Sequence, residues 1–203
     1  IGTDYRRMGV LDEASSYHYQ ALTYSDNYSD KVSNVAVKNR VVSLNGIGNV
    51  QLSLGNPDVA DSVFRLALKG ETSLGSLVGQ AINYANIGAI LEEKGQVDSA
   101  RFFYAKSLEC NEAAGSALGI SLCHTHFGRL AENAGRLDEA VAEYKKAYDI
   151  MEDSSDKWHW LESCLSLSRV YAKKGNLSLA WTYLDQAKKA AEKIISLGHL
   201  VDV

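Results

Sequence analysis

Lys94-Gly95-Gln96-Val97-Asp98-Ser99-Ala100 and Ala134-Gly135-Arg136-Leu137-Asp138-Glu139-Ala140 share one pattern: a glycine, an aliphatic residue two positions on, an aspartate at three and an alanine at five. Gly55, Gly95, Gly135 and Gly175 stand forty residues apart, and Gly9 heads a further copy. Alanine follows each of them at the same distance, at Ala14, Ala60, Ala100, Ala140 and Ala180. Seven residues before the glycines sit Gly2, Gly48, Gly88, Gly128 and Ser168, preceded by Ile1, Ile47, Ile87, Phe127 and Leu167. A chain that repeats at this period is read as an array of stacked supersecondary units before anything else.

Each unit reads as two antiparallel helices. The apolar residues return at helical spacing throughout, and Pro57 is the only proline. The glycine supplies the backbone freedom for a tight connection, and the small residues on either side let two helix axes approach closely. Asp12, Asp58, Asp98 and Asp138 fall in the first turn of each second helix, where the helix dipole favours a carboxylate. Asn56 followed by Pro57 has the form of an N-cap and first helical residue. The fold class that follows is all-α, a right-handed superhelical solenoid of antiparallel helix hairpins. Residues 1–203 are expected to form a single solenoid, an excerpt of a longer array, with repeats at about 1–34 (partial), 35–74, 75–114, 115–154 and 155–196. Eight complete helices are expected, with partial ones at either end.

The pattern of small residue, turn glycine and alanine continues with an aromatic (Phe64, Tyr104, Tyr144) and another small residue (Ala67, Ser107, Ala147). In this it resembles the tetratricopeptide repeat. The forty-residue period is longer than that family's usual one, and the proline that commonly ends its second helix is absent. The longer form is similar to the repeats of Pins-type spindle scaffolds, kinesin light chains, Rap proteins and bacterial sensory arrays; Asn86-Ile87-Gly88 matches the Asn-Leu-Gly signature of that variant. The resemblance implies a protein-binding module.

Composition narrows the field in the same direction. A formal charge of −4 gives no basic excess for a phosphate backbone, so nucleic acid is not an expected direct partner. No apolar run approaches the roughly 20 residues of a membrane span. Cys110, Cys123 and Cys164 are an odd number without a CxxC pair. They leave the compartment open, with a cytoplasmic setting slightly favoured over a periplasmic one.

The candidate chemistry is sparse. His124 and His126 point about 200° apart on a helix and cannot chelate one ion. Gly46-Ile47-Gly48 has no preceding strand and lies within a repeat helix, so it is not a phosphate loop. No cofactor is implied, and no nucleophile, acid–base or metal motif argues for an enzyme. Trp158 and Trp181 read as packing residues. Trp160 shares a column with Arg40, Gln80 and Ile120, which makes it a packing residue with an exposed interface anchor as the alternative.

The binding expectation rests on a second stripe of each first helix, polar and different in every repeat. The groove candidates are Asn45, Asn49, Ser53, Asn86, Glu93, His126, Arg129, Asn133, Arg169 and Lys173. Stacked hairpins bring such positions together on a concave surface, where the resemblance implies that a peptide or helical segment of a partner binds. Asn45, Leu122 and His126 stand where the family's carboxylate clamp for chaperone tails has its cations, which argues against that ligand. The expected function is a scaffold for a protein or peptide partner; the alternative is the sensory region of a bacterial signalling or transcription-regulator protein with its output domain elsewhere. Cut ends also lead to an expectation of end-to-end self-association.

Overall fold

The computed structural model describes residues 1–27 and 33–201, with side chains to residue 195. Among the described residues there are ten helices and no strand: α1 (Gly2–Arg7), α2 (Leu11–Asn27), α3 (Asn34–Ser53), α4 (Pro57–Ser73), α5 (Leu77–Glu93), α6 (Val97–Ala114), α7 (Ala117–Asn133), α8 (Leu137–Met151), α9 (Lys157–Lys173) and α10 (Leu177–Val201). Each helix from α1 to α5 packs on the next, and so does each from α7 to α9. The chain divides into two compact units, residues 1–114 and 115–203. The first holds α1 to α6 and the second α7 to α10. Only α1 is short; α10 is the longest helix, and the residues after Ile195 continue it to Val201.

Every turn within a hairpin is made by the glycine the sequence pattern singles out. Gly9, Gly55, Gly95, Gly135 and Gly175 all have φ between 72° and 77°, the left-handed region that a side chain would strain. Gly75 and Gly115, at φ 66°, make the turns between repeats and were not part of the expected pattern. Behind them, Ser76 and Ser116 accept hydrogen bonds from the amides of Gly79 and Gly119 at 3.2 Å, capping α5 and α7. Asp156 does the same for α9, at His159 N. Asn56 occupies the N-cap position of α4 without capping it, because its side-chain amide donates instead to Gln51 at 2.9 Å.

The hairpin contact is built around the small residue of the first helix. A Cβ placed on Gly48 would lie 2.5 Å from the ring of Phe64, on Gly88 2.8 Å from Tyr104, and on Gly128 2.6 Å from Tyr144. These three rings are fully or almost fully buried. In the first hairpin His18 takes the place of the ring and lies against Gly2 and Gly46. The alanines five residues after each turn glycine are buried beside them. A serine–carbonyl hydrogen bond also links the helix pair in two repeats, with the donor exchanged between them. Ser107 of α6 donates to Ala81 O of α5 at 2.8 Å, whereas Ser121 of α7 donates to Ala147 O of α8 at 3.2 Å. The register of the two helices is the same in both.

Trp160 packs as the sequence reading has it, whereas Trp158 and Trp181 do not. Trp160 is buried, stacking at a tilt on Tyr148, because it faces the core of the second unit rather than solvent. Trp158 and Trp181 are 62% and 68% exposed. Trp158 shares its exposure with Val78 and Leu118, so that whole column lies outside the core.

The ring contact gives opposed expectations for two glycines on one helix. Gly88→Ala should destabilise by about 1–3 kcal/mol, since overpacking against Tyr104 outweighs the gain in helix propensity. A Cβ on Gly79 meets only the flexible end of Glu71, so Gly79→Ala should stabilise by about 0.5–1 kcal/mol. Denaturant midpoints of the two variants check this, and equal shifts would contradict the packing account.

Candidate functional site

The polar stripe of the first helices survives folding as a partly accessible face. In the first unit Asn45, Asn49 and Asn86 are half-buried, and Ser53 and Glu93 are exposed. Asn49 uses its amide to donate to Asn45 O at 2.9 Å, and Ser53 donates to Asn49 O at 3.1 Å, so these side chains tie down their own helix. The side-chain oxygen of Asn45 is buried without a hydrogen-bond partner in the structure. In the second unit His126 and Arg129 are half-buried and 3.3 Å apart, while Asn133, Arg169 and Lys173 are exposed.

Two of these candidates meet at a residue the sequence did not single out. Glu132, on α7, has only 4% of its side chain exposed. Arg169 of α9 donates to both of its carboxylate oxygens, Nε to Oε1 at 2.9 Å and Nη2 to Oε2 at 3.0 Å. Lys173 Nζ lies 2.7 Å from Oε1, and the Tyr144 hydroxyl of α8 donates to Oε2 at 2.8 Å. One buried carboxylate thus joins two first helices and one second helix. A bidentate arginine and two further donors satisfy an ion that burial would otherwise penalise. The hydrogen bond from Arg169, with those of Lys173 and Tyr144, holds the carboxyl at a pKa of about 2 against the resistance of burial. Burial and the bond to Glu132 push the Tyr144 hydroxyl upward, so it remains a donor.

The same pairing occurs in the first unit, where Tyr104 donates to Glu92 at 2.8 Å. Glutamate three before the turn glycine and tyrosine nine after it is therefore a repeated feature. That twelve-residue spacing, Glu92 to Tyr104 and Glu132 to Tyr144, was the signal available in the sequence. Ion pairs also recur at the turns, Asp58 with Lys94 and Asp138 with Lys174. They link the start of one second helix to the end of the next first helix, and their exposure limits them to about 0–1 kcal/mol each.

The remaining chemistry is structural. His124 lies 2.7 Å from Glu143, which also receives Lys146. Among the described residues no group of three His, Cys, Asp or Glu gathers as for a metal, and no helix is long and apolar enough to cross a membrane. A hollow between α2 and α3 is lined by Ala21, Tyr24, Val35, Asn39 and Val42, none of them a candidate.

Residues 79–153 match the Tetratricopeptide repeat family model. The match is confined to that segment, while over nearly its whole length the chain shares its fold with solved structures. Its fold is similar to that of BtubC (BKLC) from P. vanneervenii, with 18% identity, a TM-score of 0.79, and 95% of this chain and 78% of that chain covered. It is equally similar to the apo form of RapI, with 18% identity, a TM-score of 0.80, and 96% and 69% covered. A third relative in structure is the Rap conjugation gene regulator of the plasmid pLS20, solved with a bound peptide, at 16% identity and a TM-score of 0.76, with 95% and 52% covered. No curated protein sequence matches the chain.

Glu132 gives a pH expectation. Its pKa is lower in the folded chain than the ordinary 4.5, so its stabilising effect is complete above that value and is lost as pH falls towards about 2. Thermal melts across this window should show a steeper loss in the parent than in Glu132→Gln. Superimposable profiles would mean that the cluster contributes nothing in solution.

Proposed function

We propose that this chain is a protein-interaction scaffold whose first-helix face takes up a peptide or helical segment of a partner. The observation that carries the reading is the polar stripe that each unit bears on its first helices, α3 and α5 in one and α7 and α9 in the other. It remains accessible, and its residues differ from repeat to repeat, whereas the hairpin contacts beneath it keep one pattern. A face with only a solvation role has no need of half-buried amides and cations arrayed at successive repeats. The peptide bound to the pLS20 regulator supports the same use of the fold. That relative is also a gene regulator by name, which favours, as a second reading, a sensory region that passes a peptide signal to an output domain.

Asn49, Asn86 and Arg129 are the proposed contacts, the asparagines to partner backbone and the arginine to a carboxylate or carbonyl. A neutral hydrogen bond contributes about 0.5–1.5 kcal/mol and a charge-assisted one about 1.5–3 kcal/mol, so Arg129→Ala should weaken binding more than either Asn→Ala change. Lys146, exposed on the second helix α8, is the control. The test is capture of a partner with the chain as bait, followed by titration of these four variants with matched melts. Groove variants that bind as the parent does, with unchanged melts, would reject this face as the working surface.

A further inference from the structure

The exposed face of the first helices in the second unit is divided along its length. On α7, Leu118 and Leu122 precede His126, Arg129 and Asn133 at steps of three and four residues. Such steps place side chains on one side of a helix. On α9, Trp158 precedes Glu162, Arg169 and Lys173 in the same register. At its N-terminal end the stripe is apolar and open at Leu118 and Trp158, which both count among the exposed large hydrophobic residues, with the exposed Glu162 one turn further along α9. The C-terminal half is cationic. Arg169 and Lys173 are half-exposed and share the single carboxylate of Glu132, so two positive charges are balanced by one negative charge inside a chain of net charge −4. An ammonium has three donors, and Glu132 occupies one of those of Lys173.

We infer that this face binds an acidic amphipathic α-helix, its apolar edge on Leu118 and Trp158 and its carboxylates on Arg169 and Lys173. The charge imbalance at Glu132 is met by a carboxylate from the partner. An exposed tryptophan beside a polar row has the form of an interface anchor. The inference rests on the proposed use of this face and adds the chemistry and conformation of the occupant.

Fluorescence anisotropy with three synthetic peptides tests it. One is about 18 residues long with leucine on one helical face and glutamate on the other; the second carries glutamine for glutamate; the third has the same leucine and glutamate content but prolines that forbid a helix. The first should bind, more weakly as salt rises. Affinity should fall about tenfold with the glutamine peptide, and by a similar factor with Trp158→Ala or Lys173→Gln, as loss of a charge-assisted contact or an anchor predicts. The Trp158→Ala melt should match the parent, and Lys173→Gln, which also removes a donor from Glu132, is compared at a temperature where both chains are folded. Binding of the proline peptide in place of the helix would overturn the occupant and leave the face standing. Equal binding of the glutamine and glutamate helices would overturn the charge complement. A helix that binds both variants as tightly as the parent, or no peptide binding at all, would remove this face from consideration. Binding to anionic phospholipid vesicles in place of the peptides would reassign the same surface to a membrane.

Discussion

The structure depends on one contact, the seating of a second-helix side chain on a first-helix position too small to resist it. Gly48 under Phe64, Gly88 under Tyr104 and Gly128 under Tyr144 are the same contact at successive repeats. Close-packed interiors do not yield smoothly to an added methyl group, so the small residue sets the distance between the two helices of a hairpin. With that distance fixed, the glycine turn follows seven residues later, and the alanine five beyond it closes the pair from the other side. His18 against Gly2, and Ser168 bonded through its hydroxyl to Ala180 O at 2.8 Å, show how the ends of the pattern vary without abandoning it.

The tyrosines give the contact a second consequence. A ring driven onto the first helix carries its hydroxyl to a glutamate near the end of that helix, at Glu92 and at Glu132. In the second unit that glutamate also gathers Arg169 and Lys173, so the packing of a hairpin is coupled to the charge on the face that the proposed partner meets. The chain's acidic balance is therefore no guide to the charge of this local surface.

Most of the fold was legible because its constraints fall on residue types that few alternatives can replace. A left-handed turn calls for glycine, and a buried close approach calls for glycine, alanine or serine, so Gly95, Ala100 and Gly88 declare themselves. Gly75 and Gly115 escaped because no counterpart stands at the next repeat, where Ser155 and Asp156 begin the helix instead. Trp158 was misjudged for a related reason: a column shared with Val78 and Leu118 looks like core, yet apolar residues there line an open face. Glu132 looked like one solvated glutamate among many. Its importance comes from partners twelve and thirty-seven residues away, Tyr144 and Arg169, which only the stacking of helices brings together.

Hydrogen exchange on the chain with and without a captured partner would test the central claim most directly. If the first helices carry recognition, amides and flanking side chains of α3, α5, α7 and α9 gain protection, while α4, α6 and α8 change little. Protection concentrated on the second helices or on the turns between repeats, with the first helices unaltered, would contradict the account.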